Sequence, residues 1–154
     1  MAVKKIDFCF VVLGKGASKT TLEQLNHQLR VADKVIFTGF IPDEELPYFY
    51  KLSRCCIIAS IAELLSLVTF QAMASGLPII AVNAGALSEL VKHRMNGYLY
   101  EEGDIPSIIQ YIEDIITRDD VYRKMSKKSL EFVRQHDIYE ALESFEKLYQ
   151  GEIQ

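Results

Sequence analysis

An α/β sandwich built on parallel strands is the fold class that the sequence predicts, and three observations carry it. Short runs rich in Val, Ile, Phe and Tyr alternate with segments whose apolar residues recur every three or four positions. The joints between them are short and hold Gly, Pro, Asp or Asn. A length of 154 residues, 49% hydrophobic and 25% charged, is enough for one sizeable core, so residues 1–154 are read as a single domain.

The first expected strand covers residues 6–13, where Phe8, Phe10, Val11 and Val12 are aromatic or β-branched and Gly14 stops the run. It is too apolar for a sheet edge. Thr20 with Glu23 has the form of a capping box, and Leu22, Leu25, Leu29 and Ala32 follow at helical spacing. Val35, Ile36 and Phe37 mark a second strand over 34–38, closed by Gly39. Pro42-Asp43-Glu44-Glu45 reads as the acidic opening of a helix with Leu46, Phe49, Tyr50 and Leu52 on its inner face.

A third strand is expected over 55–59. Residues 66–75 have helical spacing in Leu67, Phe70 and Ala74, and Gly76 stands where a left-handed cap belongs. Residues 78–82 form the next strand, and Leu87, Leu90 and Val91 a short helix beyond Gly85. Asn96-Gly97 turns the chain into Tyr98-Leu99-Tyr100, and Gly103-Asp104 leads into a helical tail from about residue 104. Its segments are 106–116, 121–135 and 138–149, with Tyr122, Met125, Phe132 and Val133 facing one way. Together these units predict a Rossmann-like parallel sheet sandwiched by helices, whose ligands bind past the carboxyl ends of the strands.

Composition narrows the function. Seventeen basic residues against twenty-one acidic ones give a net charge of −4, so no field-driven grip on nucleic acid is expected. Apolar runs such as residues 57–62, broken by Ser60, fall far short of the roughly 20 residues that span a bilayer. Met1-Ala2-Val3-Lys4-Lys5 leads to no cleavage-type signal. Cys9, Cys55 and Cys56 lack metal-ligand spacing and sit in apolar runs typical of buried thiols, which points to a reducing cytoplasm and to no metal site.

Two strand-to-helix loops are candidates for chemistry. Gly14-Lys15-Gly16-Ala17-Ser18-Lys19-Thr20 looks like a phosphate cradle, but Leu13, Ser18 and Lys19 stand where the phosphate-loop and dinucleotide patterns need glycine. It reads as a permissive turn that borders a ligand held elsewhere. Ser60-Ile61-Ala62-Glu63-Leu64-Leu65-Ser66 is the better candidate, with a carboxylate and the free amides of a helix start beyond a strand end. One reading seats an anion there, helped by the hydroxyls of Ser66 and Thr69. The other makes Ser66 a helix cap and Glu63 a solvated charge.

Elsewhere the charges read as surface. Glu44 with Glu45, and Glu101 with Glu102, decorate a helix start and a turn, while His27, His93 and His136 read as solvated or capping. Ser75-Gly76 ends a helix and does not form a nucleophile turn. Arg123, Lys124, Lys127, Lys128 and Arg134 give the tail a basic face, which is either a solvated surface or a peripheral contact with anionic lipid.

Four stretches, taken in order, carry a family resemblance. They are Lys34-Val35-Ile36-Phe37-Thr38-Gly39-Phe40-Ile41-Pro42-Asp43-Glu44-Glu45-Leu46-Pro47, then Ala72-Met73-Ala74-Ser75-Gly76-Leu77-Pro78-Ile79-Ile80-Ala81, then residues 85–91, then Asn96-Gly97-Tyr98-Leu99. In this the chain resembles the C-terminal, donor-binding half of the group 1 glycosyltransferases, retaining enzymes of GT-B fold. The resemblance implies a nucleotide-diphosphate sugar as donor, a UDP-sugar first among them, with no metal and no further cofactor. It puts Glu63 beside the transferred sugar, Leu65, Ser66, Leu67, Val68 and Thr69 at the phosphates, and Gln71 at the ribose. Gly39, Phe40 and Ile41 come near the base, and Gly14 and Gly16 flank the nucleotide.

The departures are also specific. Gln71 replaces the second member of the family's glutamate pair, and Leu64 and Leu65 stand where relatives carry small or polar residues. The first strand-helix unit of the half, with its arginine and lysine clamp, has no counterpart. The resemblance therefore implies a fragment or subunit, inactive by itself, that works with an N-terminal acceptor domain in the cytoplasm or at the cytoplasmic membrane face. A degenerate, non-catalytic docking module is the alternative. A phosphoreceiver domain is disfavoured because Asp7 opens a strand and does not end one.

Overall fold

The computed structural model describes residues 7–151. Ile6, read into the first strand, and residues 1–5, on which the missing signal was argued, lie outside the described residues. The chain forms two compact units, one running to Phe49 and the other starting at Tyr50.

In the first unit, β1 (Phe10–Leu13) and β2 (Val35–Gly39) pair in parallel, with Phe10 opposite Val35 and Val12 opposite Phe37. The connecting α1 (Lys19–Gln28) begins one residue before Thr20, so the expected capping box does not form, and Ser18 makes no side-chain cap bond. Leu22, Leu25 and Leu29 stay 42%, 46% and 62% exposed, while Asn26 is the buried residue of this helix. Residues 43–45 form a turn in which the Glu45 N–H donates to the Pro42 carbonyl, so α2 (Leu46–Leu52) starts after the acidic stretch. Leu52, expected on its inner face, is 87% exposed, and Tyr50 is the residue buried there.

The second unit is a three-stranded parallel sheet ordered β3 (Cys56–Ile58), β4 (Ile79–Val82), β5 (Gly97–Tyr100). Between β3 and β4 runs α3 (Leu67–Ala74), and α4 (Leu87–Leu90) lies between β4 and β5. β4 is central, and its four residues are at most 2% exposed. Burying each of its isoleucines contributes roughly 1.5–3 kcal/mol. α3 ends in a Schellman motif, in which the Gly76 N–H donates to the Met73 carbonyl at 2.9 Å and the Leu77 N–H to the Ala72 carbonyl at 3.0 Å.

Three helices follow: α5 (Ile105–Thr117), capped by Asp104, then α6 (Asp119–Val133) and α7 (Ile138–Gln150), with a single 3-10 turn at Arg134–His136. α6 packs on α3; Met125 is buried and Tyr122, Phe132 and Val133, which its periodicity groups with it, are half-buried. What the periodicity did not single out is Ser129, fully buried, whose hydroxyl donates to the Leu77 carbonyl at 2.7 Å and ties α6 to the turn into β4. No helix among the described residues is long and apolar enough to cross a membrane.

Candidate functional site

Beyond Ile58 the chain leaves β3 and crosses residues 60–66 to reach α3. This loop is held by the next one. The Glu63 carbonyl accepts the Ala86 N–H at 3.1 Å, and Gly85 lies so close that an added Cβ would stand 2.6 Å from the same oxygen. Gly85 also has φ +52°, a left-handed conformation that side chains resist. Glu63 is thereby fixed at the carboxyl end of β3, with its residue half-buried. The sequence reading used Gly85 as a strand boundary; its role in seating Glu63 depends on a contact made across 22 positions of chain.

At the start of α3, Ser66 and Thr69 are 3% and 0% exposed, and the Thr69 hydroxyl donates to Ser66 Oγ at 2.8 Å. Ser66 Oγ also accepts the Thr69 N–H at 3.4 Å, so Ser66 is the helix cap of the plainer reading. The two hydroxyls are turned on each other and away from solvent. The amides of Leu67 and Val68, in the first turn, have no carbonyl four residues back to bond within the helix, and the positive helix end is theirs.

Gln71 lies one turn on, exposed, with its Oε1 accepting the Tyr50 hydroxyl at 3.1 Å. Burial, and after it the neighbouring Cys56, raises the Tyr50 pKa, so this phenol stays a donor at neutral pH. Leu65, Leu67 and Gln71 line one side of a groove of about 740 Å³ whose other side is Val133, His136 and Ile138. Leu64 is 97% exposed, so within this unit its side chain fills no space at the helix start. At the same end of the sheet the Asn83 amide donates to Glu101 at 2.9 Å, giving a turn-decorating glutamate a partner that local sequence did not show.

The remaining predicted residues belong to the first unit. Gly14 and Gly39, 25 positions apart, meet at the carboxyl ends of β1 and β2, where the Gly14 N–H donates to the Gly39 carbonyl at 2.8 Å. Phe40 is 64% exposed with the Lys15 ammonium 4.9 Å from its ring centre, and Ile41 is half-buried. The Gly16 carbonyl takes the Lys19 N–H as α1 begins. Each unit thus carries its own loops at the carboxyl ends of its strands.

The cysteines divide. Cys9, expected buried, is exposed, because it lies just outside β1. Burial pushes the Cys55 thiol up to about 11 and the Cys56 thiol up to about 12, so both stay protonated and unreactive. At pH 8 a thiol-disulfide reagent should label Cys9 alone in the native chain and all three residues in urea. Fast native labelling of Cys55 or Cys56 would contradict the packing around β3.

Residues 2–132 match the family described as "Glycosyl transferases group 1". An uncharacterized glycosyltransferase of Haemophilus influenzae is 33% identical over 131 residues, covering 84% of this chain and 36% of the relative. Among solved structures, the sucrose-phosphate synthase of Thermosynechococcus elongatus superposes with a TM-score of 0.81 at 26% identity, over 92% of this chain and 37% of that one. The Anabaena protein HepE in complex with UDP-glucose gives a TM-score of 0.73 at 25% identity, over 88% of this chain and 41% of its own. The chain spans about a third of the length of the curated relatives it matches.

Proposed function

The chain belongs to the group 1 glycosyl transferases, and from that premise we propose that the loop of residues 60–66 and the first turn of α3 seat the diphosphate of a nucleotide sugar. The observation that carries this reading is the open pair of amides at Leu67 and Val68, set at the carboxyl end of β3 by the clamp of Gly85 and Ala86 on Glu63. Amides and a helix dipole hold an anion without a basic side chain. In a whole enzyme the same groups would offset charge growing on the leaving diphosphate, without a metal ion.

Glu63 takes the sugar side and Gln71 the ribose. A UDP-sugar is the donor we favour, since HepE, similar to this chain, was solved with UDP-glucose. Transfer with retention, and an acceptor-binding partner domain in the cytoplasm, complete the proposal for the protein as a whole.

Calorimetric titration with UDP and UDP-glucose tests it. Glu63→Ala should weaken UDP-glucose about tenfold and leave UDP unchanged, because a contact to the sugar is lost and none to the nucleotide. Gln71→Glu should tighten both, since a carboxylate accepts from two ribose hydroxyls where the amide oxygen already holds Tyr50. That Tyr50 contact is also what favours the second reading, a docking module in which position 71 has become structural. Silence toward both ligands, before and after Gln71→Glu, would select it.

A further inference from the structure

The two ends of the Gln71 side chain differ, and Tyr50 decides which of them is free. An amide side chain has an oxygen that only accepts and a nitrogen that only donates. Gln71 Oε1 takes the Tyr50 hydroxyl at 3.1 Å, and among the described residues Nε2 has no protein partner. The pairing runs in this direction because of where Tyr50 lies. Its residue is 7% exposed, and among the described residues its hydroxyl has no other acceptor. A phenol oxygen shares its lone pair with the ring and accepts weakly, whereas its O–H donates well. The buried hydroxyl therefore turns the amide oxygen toward itself.

Gln71 is exposed and lines the groove beside Leu67, so a ligand there meets two N–H donors while the oxygen is committed to Tyr50. That changes what a sugar can offer it. A carboxylate at this position would accept from two adjacent ribose hydroxyls, and removing one hydroxyl would leave a charged oxygen unpaired. An N–H donor needs only an oxygen lone pair, which the 3′-hydroxyl of a deoxyribose supplies as well as a ribose does.

With the donor site proposed above as its premise, we infer that Tyr50 holds Gln71 with its donor end outward, so that the site takes 2′-deoxyribonucleoside diphosphate sugars as readily as ribonucleotide ones. Tyr50 is then a positioning residue: it sets which nucleotides are admitted and touches none of them. Neither half of the pair shows this alone, since the choice of free end depends on a contact between α2 and α3, 21 positions apart.

Calorimetry on the full chain with uridine diphosphate and its 2′-deoxy analogue tests this, because the base and the diphosphate are common to both probes. The parent should bind the two within about threefold of each other. Gln71→Glu should favour uridine diphosphate by about tenfold or more, since a carboxylate keeps Tyr50 and still has acceptors for the diol. Tyr50→Phe keeps the ring, frees Oε1 and should raise the preference to about fivefold. Gln71→Ala should weaken both probes and leave their ratio at the parent's value. A parent preference of tenfold or more for the ribonucleotide would overturn the inference and leave the donor site standing. A Tyr50→Phe ratio equal to the parent's would do the same. Silence of both the parent and Gln71→Glu toward both probes would instead refute the donor site, and the inference with it.

Discussion

Gly97→Ala is expected to cost roughly 4 kcal/mol or more of stability, or to prevent folding of the second unit. A Cβ at this position would stand 1.9 Å from the Ile79 carbonyl oxygen and 2.8 Å from its carbon, well inside any contact distance. The atoms in the way are backbone, in a strand whose residues are at most 2% exposed, so neither partner can step aside without opening the β4–β5 ladder. Urea unfolding measures the loss. Gly16→Ala is the control: nothing lies within 4 Å of its added Cβ, and its midpoint should stay within about 0.5 kcal/mol of the parent. An unchanged midpoint for Gly97→Ala would mean that Gly97 and Ile79 are not neighbours in the described register.

Gly85→Ala should strike the site harder than the fold. The new Cβ would meet the Glu63 carbonyl at 2.6 Å, in a backbone conformation of φ +52° that alanine adopts at a cost. Relief comes from moving the loop of residues 60–66, since it is the less buried of the two surfaces, and the Ala86 to Glu63 hydrogen bond goes with it. A stability loss of about 1–3 kcal/mol is expected, with UDP-glucose affinity falling about tenfold or more under conditions where the variant remains folded. Full affinity in a folded Gly85→Ala variant would show that the position of Glu63 is not what the donor reads. Absence of affinity in the parent is a different result and would refute the donor reading itself.

Both glycines illustrate what a single sequence exposes and what it hides. Gly97 reads in sequence as half of an Asn-Gly turn, yet it is the first residue of β5 and the left-handed residue of the preceding turn is Arg94; its contact with Ile79 comes from a strand 18 positions earlier. Gly76 was legible to the residue, since a helix cap involves only neighbours in the chain. The capping box at Thr20 and Glu23 failed for the converse reason: helix α1 starts one residue sooner, and no local rule fixes which hydroxyl comes first. Leu52 met the spacing for an inner face and is exposed, because spacing says which residues share a face and not where the helix ends.

For the candidate site, the loop itself could be read from its strand-end position, its carboxylate and the helix start behind it. The roles within it could not. Ser66 and Thr69 look like ligands in sequence and are partners of one another in space, leaving the anion to backbone groups that have no letter of their own.

The sequence by itself determined the alternation of strands and helices, the parallel sheet and the family, since these follow from periodicity, turn chemistry and motif order along the chain. Tertiary structure alone decided that Gly85 clamps Glu63, that Tyr50 holds Gln71, and that β1, apolar enough for a sheet centre, has an open edge among the described residues. Those facts depend on which distant segments come within a few ångströms, and packing sets that distance where local propensity cannot.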